Sequence, residues 1–420
     1  MSVDVVSRVD EVRLRGDLDA LAQIGREENL GLNRTAFSEA DMQARQWLGD
    51  RLREAGLSTW MDGAGNVFGR LDPPEEDDAE KGAVLIGSHL DSVPGGGTLD
   101  GALGVVAGLE VLRCAAEAEI PLKRPLEVVG FADEEGWFGG IFGSRAVCGE
   151  LSPEDIHQAQ DLDGNRLVDV MAAHGMDAME ALHARRTPET IDAYLELHIE
   201  QGPVLDQSAV PIGVVDDITG LFKWSARLIG APDHAGTTPM AMRRDAFLGL
   251  AEFAGEIERI LEEHGAENSR ATVGRIELTP GSANTVPGMV EFSLDVRDTD
   301  SDVLAALFEA FRRTLAAIAR RRNLMFEFDI LSEIRPQPCD RKIADAIDRS
   351  AQRLDLKSQR MPSGAAHDCQ IMARHWPSGM LFVPSKNGRS HSPAEWTHME
   401  HIIGGTNVLL GAALEMANGD

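Results

Sequence analysis

The chain has 420 residues, room for two or three domains and a large buried core. A hydrophobic fraction of 43% with only 5% aromatics describes a soluble globule packed by Ala, Leu and Val. The formal net charge of −29 makes nucleic acid and anionic membrane poor partners. Cys114, Cys148, Cys339 and Cys369 are widely spaced and form no C-x-x-C pair. That spacing argues against a disulfide framework or zinc knuckle and for a reducing compartment. Cys369 follows His367 and Asp368, but its reading is a small buried thiol rather than a nucleophile. Met1-Ser2-Val3-Asp4 is polar, with no hydrophobic leader, and no apolar run reaches membrane-spanning length. The expectation is a cytoplasmic protein.

In chain order, Ser38-Glu39-Ala40-Asp41 reads as a capping box opening a helix over 38–57, with Ala44, Trp47, Leu48, Leu52 and Ala55 at helical spacing. Pro73 through Lys81 is an acidic loop. Residues 83–87 form a fully apolar strand and 126–132 a second, largely apolar one, separated by a Gly/Ala-rich helix over 101–117. Alternation of this kind predicts an α/β fold with a mostly parallel sheet covered on both faces. Its working residues belong beyond the carboxyl ends of the strands. From 219 the order changes to strand (219–230), helix (241–264), strand (271–278), strand (289–297), helix (301–321), strand (324–331). This βαββαβ pattern is ferredoxin-like. A helix over 341–354, an apolar strand at 379–383 and a terminal helix over 398–417 follow. The division expected is a discontinuous catalytic domain, 1–213 and 331–420, with 214–330 inserted.

Chemistry gathers at a few points. Glu134 and Glu135 end the second apolar strand, so one carboxylate can take a metal and its neighbour a proton. His89-Leu90-Asp91 puts two polar side chains on one side of an extended segment, where Asp91 can accept the second imidazole N–H of His89. Asp100 lies across Gly95-Gly96-Gly97, placed to bridge two cations. Singly, Asp100 also reads as a helix cap and His89 as an ordinary strand-end histidine. His198, before the Gly202-Pro203 break, and His391, in Gly388-Arg389-Ser390-His391-Ser392-Pro393-Ala394-Glu395, tip the balance. His89, His198, His391, Asp100 and Glu135 make an N₃O₂ set suited to zinc, manganese, cobalt or nickel.

With these motifs the chain resembles the M20 metallohydrolases. Gly87-Ser88-His89-Leu90-Asp91-Ser92-Val93, Phe131-Ala132-Asp133-Glu134-Glu135-Gly136, Leu195 through Pro203 and Gly388 through Pro393 match in order. The similarity is to the hydantoinase/carbamoylase branch: N-carbamoyl-L-amino-acid hydrolases, allantoate amidohydrolases and β-ureidopropionases. The resemblance implies two divalent ions, with His89 and His391 on one, Glu135 and His198 on the other and Asp100 bridging. It makes Glu134 the general base, and Asp91 a catalytic residue through His89. It implies that 214–330 is a lid and dimerisation domain of a homodimer. Within that domain His234, in Ala231-Pro232-Asp233-His234-Ala235-Gly236, polarises the scissile carbonyl, and Asn284 and Arg297 hold a substrate carboxylate. Gln201 and Gly364 fall near the ureido or carboxylate group. A bland alternative for His234 is a turn residue, and for Arg297 a salt bridge to Asp298 or Asp300. The chain departs from the family after Glu-Glu-Gly, where an expected Arg-Phe pair is missing and Trp137 stands beside the base. The function implied is hydrolysis of a C–N bond in an N-carbamoyl or related ureido acid.

Overall fold

A computed structural model describes residues 8–419; the polar start at Met1–Asp4 lies outside them. The chain forms two compact units. One comprises the chain up to Asp216, Pro338–Ser363 and everything from His367 on; the other is Asp217–Gln337 with Gly364–Ala366.

The first unit is built on a nine-stranded sheet. In chain order its principal strands are β1 (Ser58–Met61), β2 (Val67–Leu71), β3 (Ala83–His89), β4 (Leu126–Phe131), β5 (Ile191–Ile199), β6 (Ile212–Ile218) and β7 (Ser378–Val383). The centre runs β7-β5-β3-β4 with every neighbour parallel. Antiparallel β2 and β1 extend one side and antiparallel β6 the other. Every residue of β3, β4 and β7 is buried, the outcome for apolar runs covered on both faces. The helix α1 (Glu39–Glu54) starts at Ser38, whose hydroxyl accepts the Asp41 amide at 3.3 Å. The Asp41 carboxylate does not return that bond; it takes the Phe37 amide at 2.7 Å and pairs with the buried Arg45. The helix α2 (Ala102–Glu117) connects β3 to β4 and is buried along most of its length. Chain order therefore reverses at β3, with β4 on one side and β5 on the other. That reversal opens a crevice at the carboxyl ends of the strands.

The second unit runs strand Gly220–Ile229, helix Ala246–His264, the broken strand Arg270–Thr272 and Ile276–Thr279, strand Met289–Asp298, helix Ser301–Arg321 and strand Met325–Ile334. All its main strand pairings are antiparallel. Alternation in Met289–Asp298 sends Val290, Phe292, Leu294 and Val296 into a core shared with Phe253 and Phe311. The boundaries differ from 214 and 330, because Met325–Ile334 pairs with Gly220–Ile229 as far as Ile334 opposite Leu221. A cut at 330 would sever a paired strand. Among the described residues no helix is long and apolar enough to cross a membrane, and the four cysteines are free and buried.

Candidate metal centre

Register builds the centre. Parallel pairing sets Ile86 opposite Leu195, so three residues on, His89 and His198 leave β3 and β5 at one level, with ring centroids 5.9 Å apart. Each ring has its Nδ1 committed to a main-chain carbonyl: His89 to Asp91 at 3.0 Å, His198 to Ile199 at 2.8 Å. These bonds engage Nδ1 and turn each Nε2 toward the centre. Both Nε2 atoms face the buried Asp100, whose Oδ1 is 3.8 Å from His89 Nε2 and 3.1 Å from His198 Nε2. His198 Nε2 also accepts the Gly101 amide at 3.2 Å. The other oxygen of Asp100, Oδ2, is 3.3 Å from His391 Nε2, and His391 in turn is 3.6 Å from Glu135 Oε2.

Three donor groups result among the described residues: His89–Asp100–His198 and Asp100–Glu135–His391 share Asp100, and Glu196–His198–His367 shares His198 with the first. The first two groupings differ from the pairing that the resemblance implies. His89 goes with His198 because adjacent parallel strands deliver them, and Glu135 goes with His391 because both ride on loops beyond strand ends.

A correction concerns Asp91. Its carboxylate oxygen is 3.8 Å from His89 Nδ1, and the main-chain carbonyl is the nearer acceptor. The carboxylate instead receives the amides of Glu134 (3.2 Å) and Glu135 (3.1 Å). Asp91 thus fixes the backbone of the acid pair, a role the alternation of His89-Leu90-Asp91 does not reveal. Glu134 Oε2 comes 3.7 Å from His89 Nε2, with its side chain 9% exposed.

The electrostatics describe a site short of positive charge. Burial, then the charges of Glu135, Asp368, Asp91 and Asp100, push the Glu134 carboxyl well above its usual range. Burial and Asp100 push Glu135 up to about 8. Burial would also raise Asp100, but hydrogen bonds from His198 and His391 hold it well below its usual range. Glu135 Oε1 is buried without a hydrogen-bond partner. An unsatisfied carboxylate oxygen, converging imidazole nitrogens and an excess of buried acid fit divalent cations. Asp133, Gln201 and His391 all have positive φ (50°, 57° and 52°), a concentration of backbone strain common around functional sites.

The remaining predicted residues are distributed as follows. Gln201 Nε2 donates to Asp100 Oδ2 at 2.8 Å and so belongs to the edge of the donor cluster. His234, Asn284, Arg297 and Gly364 belong to the second unit. His234 is exposed; its Nδ1 accepts the amides of Gly236 (3.0 Å) and Thr237 (3.2 Å), which leaves the proton on Nε2. Asn284 lies in the turn just before the two-residue strand Thr285–Val286, which pairs with Asp233–His234, and its main-chain carbonyl accepts the Ala235 amide at 2.9 Å. Arg297 pairs with Asp295 (Nε–Oδ1 2.8 Å), not with Asp298 or Asp300, and donates to the Gly364 carbonyl at 2.8 Å. Sequence reasoning passed over Glu196 and did not count His367 among the ligands. Glu196 Oε1 takes Ser88 Oγ at 2.7 Å; His367 packs edge-on to His198 at 4.6 Å and bonds Ser363 Oγ. Burial and the nearby His198 hold the His367 imidazole well below its usual range. Their only signal was position: Glu196 two residues before His198, His367 beside Asp368.

The chain is similar to known proteins along nearly its whole length. The model of peptidase family M20/M25/M40 matches residues 85–415. An N-carbamoyl-L-amino acid amidohydrolase of Geobacillus stearothermophilus is 38% identical over 97% of this chain and 99% of its own. An allantoate amidohydrolase of Escherichia coli (strain K12) is 34% identical, over 93% and 94%. Among solved structures, a hydantoinase/carbamoylase family amidase from Burkholderia multivorans superposes with a TM-score of 0.90 at 35% identity, covering 98% of this chain and 99% of that one.

Proposed function

The chain belongs to the peptidase M20/M25/M40 family, and on that premise we propose that it is a two-metal amidohydrolase releasing the carbamoyl group of N-carbamoyl-L-amino acids. The observation that carries this reading is the buried Glu134 carboxyl beside two donor triads that share Asp100. His89, Asp100 and His198 would hold one ion, and Asp100, Glu135 and His391 the other. Zinc, manganese, cobalt and nickel all suit such nitrogen and oxygen donors. Divalent ions bound there supply Lewis acidity toward the scissile carbonyl and the attacking water.

The rest falls to side chains. Glu134 accepts a proton from the attacking water as the new C–O bond forms at the carbamoyl carbon. It keeps that proton until the C–N bond breaks and delivers it to the leaving amine. The amino acid departs together with a carbamate that decomposes to ammonia and carbon dioxide. Asp91 keeps the main chain of Glu134 and Glu135 in place throughout. His234, with its proton on Nε2, is a donor for the carbonyl oxygen. Asn284, Arg297, Gly364 and Gln201 are assigned to the carboxylate and ureido groups of the substrate. The second unit is assigned as lid and dimerisation domain of a cytoplasmic homodimer.

A second reading is allantoate as substrate, favoured by the Escherichia coli relative. Protein stripped by a chelator, reloaded with each of the four metals and offered N-carbamoyl amino acids, allantoate, ureidopropionate and N-acyl amino acids separates the two by ammonia or carboxylate release. Activity on N-acyl compounds alone would overturn both.

A further inference from the structure

Glu395 lies four residues past His391 in the same loop, and the proposed reaction leaves it without a role. It is only 7% exposed, in a loop whose His391, Pro393 and Ala394 are exposed. Its Oε1 accepts two main-chain amides from a different part of the chain, Leu99 at 2.9 Å and Asp100 at 3.1 Å. Its Oε2 is 2.9 Å from Ser390 Oγ, and that hydroxyl is 2.9 Å from Asp100 Oδ2. One carboxylate therefore contacts the main chain of Asp100 directly and its side chain through a single hydroxyl.

The Gly95-Gly96-Gly97 loop explains how the two segments come so close. A Cβ on Gly97 would fall 2.1 Å from the Glu395 carboxyl. No side chain fits there, so glycine at 97 makes room for Glu395. Asp100 has no regular structure ahead of it to fix its orientation, since α2 begins two residues later. The His391 loop is equally short of support, with His391 itself at positive φ. Glu395 ties each to the other.

We infer that Glu395 is a positioning residue: through Ser390 and the Leu99 and Asp100 amides it sets Asp100 and His391 at the spacing that divalent-ion binding requires. This rests on the reading of Asp100 and His391 as metal ligands. Partners of this kind beyond the ligands change metal affinity by about 10–100-fold when removed. Glutamine preserves the arrangement. Its Oε1 accepts both amides, and its Nε2–H donates to Ser390, freeing the one hydroxyl proton of Ser390 for Asp100. Alanine preserves none of it.

The test is Mn²⁺ binding to chelator-stripped full-length protein, followed calorimetrically in wild type, Glu395→Gln, Glu395→Ala and Ser390→Ala, with unfolding of the metal-free proteins recorded in parallel. Expected are a Kd about 10–100-fold weaker in Glu395→Ala, recovery to within about threefold of wild type in Glu395→Gln, and an intermediate loss in Ser390→Ala. A structural role alone would lower the unfolding midpoint without touching Kd. Wild-type affinity in Glu395→Ala overturns the proposal, as does equal loss in Glu395→Gln, which would make charge rather than geometry the cause. Should Glu395→Ala not fold, unchanged affinity in Ser390→Ala overturns it instead. Wild-type protein that binds no Mn²⁺ removes the metal-ligand reading, and the positioning role with it.

Discussion

Gly101 offers a direct way to disturb the centre without removing a ligand. It joins Asp100 to α2 with φ +64° and ψ −52°, a conformation that L-residues avoid. A Cβ there would meet the His89 ring at 2.4 Å from both Cε1 and Nδ1 and at 2.5 Å from Cδ2. The ring has little freedom to retreat, because its Nδ1 is bonded to the Asp91 carbonyl and the residue is buried. Gly101→Ala therefore carries two costs: about 1–2 kcal/mol for the backbone, and about 1–3 kcal/mol for the forced overlap. The sum, ~2–5 kcal/mol, is at or below the stability of a typical domain, so a folded population remains. In that population His89 is displaced from Asp100 and His198. Urea unfolding of the metal-free protein should show the loss of stability, and calorimetric titration with Zn²⁺ should show one of two ions binding at least tenfold more weakly. Wild-type stability together with wild-type affinity for both ions would refute the placement of His89 over Gly101.

Two further expectations concern protons. In metal-free protein, the hydrogen bond and charge of Asp100, joined by Glu196 at His198 and Glu135 at His391, together outweigh burial and hold both imidazoles up to about 9, while Glu135 titrates at about 8. The Asp100 pairing stabilises the metal-free fold fully below the ordinary histidine pKa of about 6.5 and is lost as pH rises through about 9. Metal must displace the same protons, so affinity should climb with pH from 6.5 to 9 and loading should acidify a weakly buffered solution; pH-independent affinity with no proton release would contradict the site's electrostatics. His234→Ala should lower kcat by about 10²–10³-fold with divalent content unchanged, read from steady-state ammonia release and metal analysis; undiminished kcat would return His234 to a turn role.

Much of this was legible in the sequence, for a physical reason. Apolar runs such as Ala83–Ile86 and Leu126–Val129 have one stable home, the middle of a covered parallel sheet, and polar residues ending such runs must emerge together at one edge. That brings His89, Glu134, Glu135 and His198 together from spacing alone, and Asp100 and His391 join through loops of matching chemistry. Which side chains group together was not legible, because that depends on strand register and loop reach, neither of which a motif encodes. The carboxylate of Asp91 was misassigned because alternation gives the face of a side chain but not its nearest donor, and here two main-chain amides are nearer than the imidazole. Glu395 stood in view beside His391; its significance depends on contacts 296 and 295 residues away. The limit of the inserted unit was set short at 330 because hydrophobic patterning fades in the exposed last strand, while its pairing continues to Ile334.

Glu134 carries the central claim, as the group that moves the proton while other residues hold the ions. The decisive measurement is turnover of an N-carbamoyl-L-amino acid by metal-loaded Glu134→Gln beside wild type, with divalent content determined on the same samples. Equal metal content and a rate lower by about 10²–10⁴-fold, the usual contribution of a general acid–base residue, are expected. A wild-type rate in Glu134→Gln at full metal content would contradict that role.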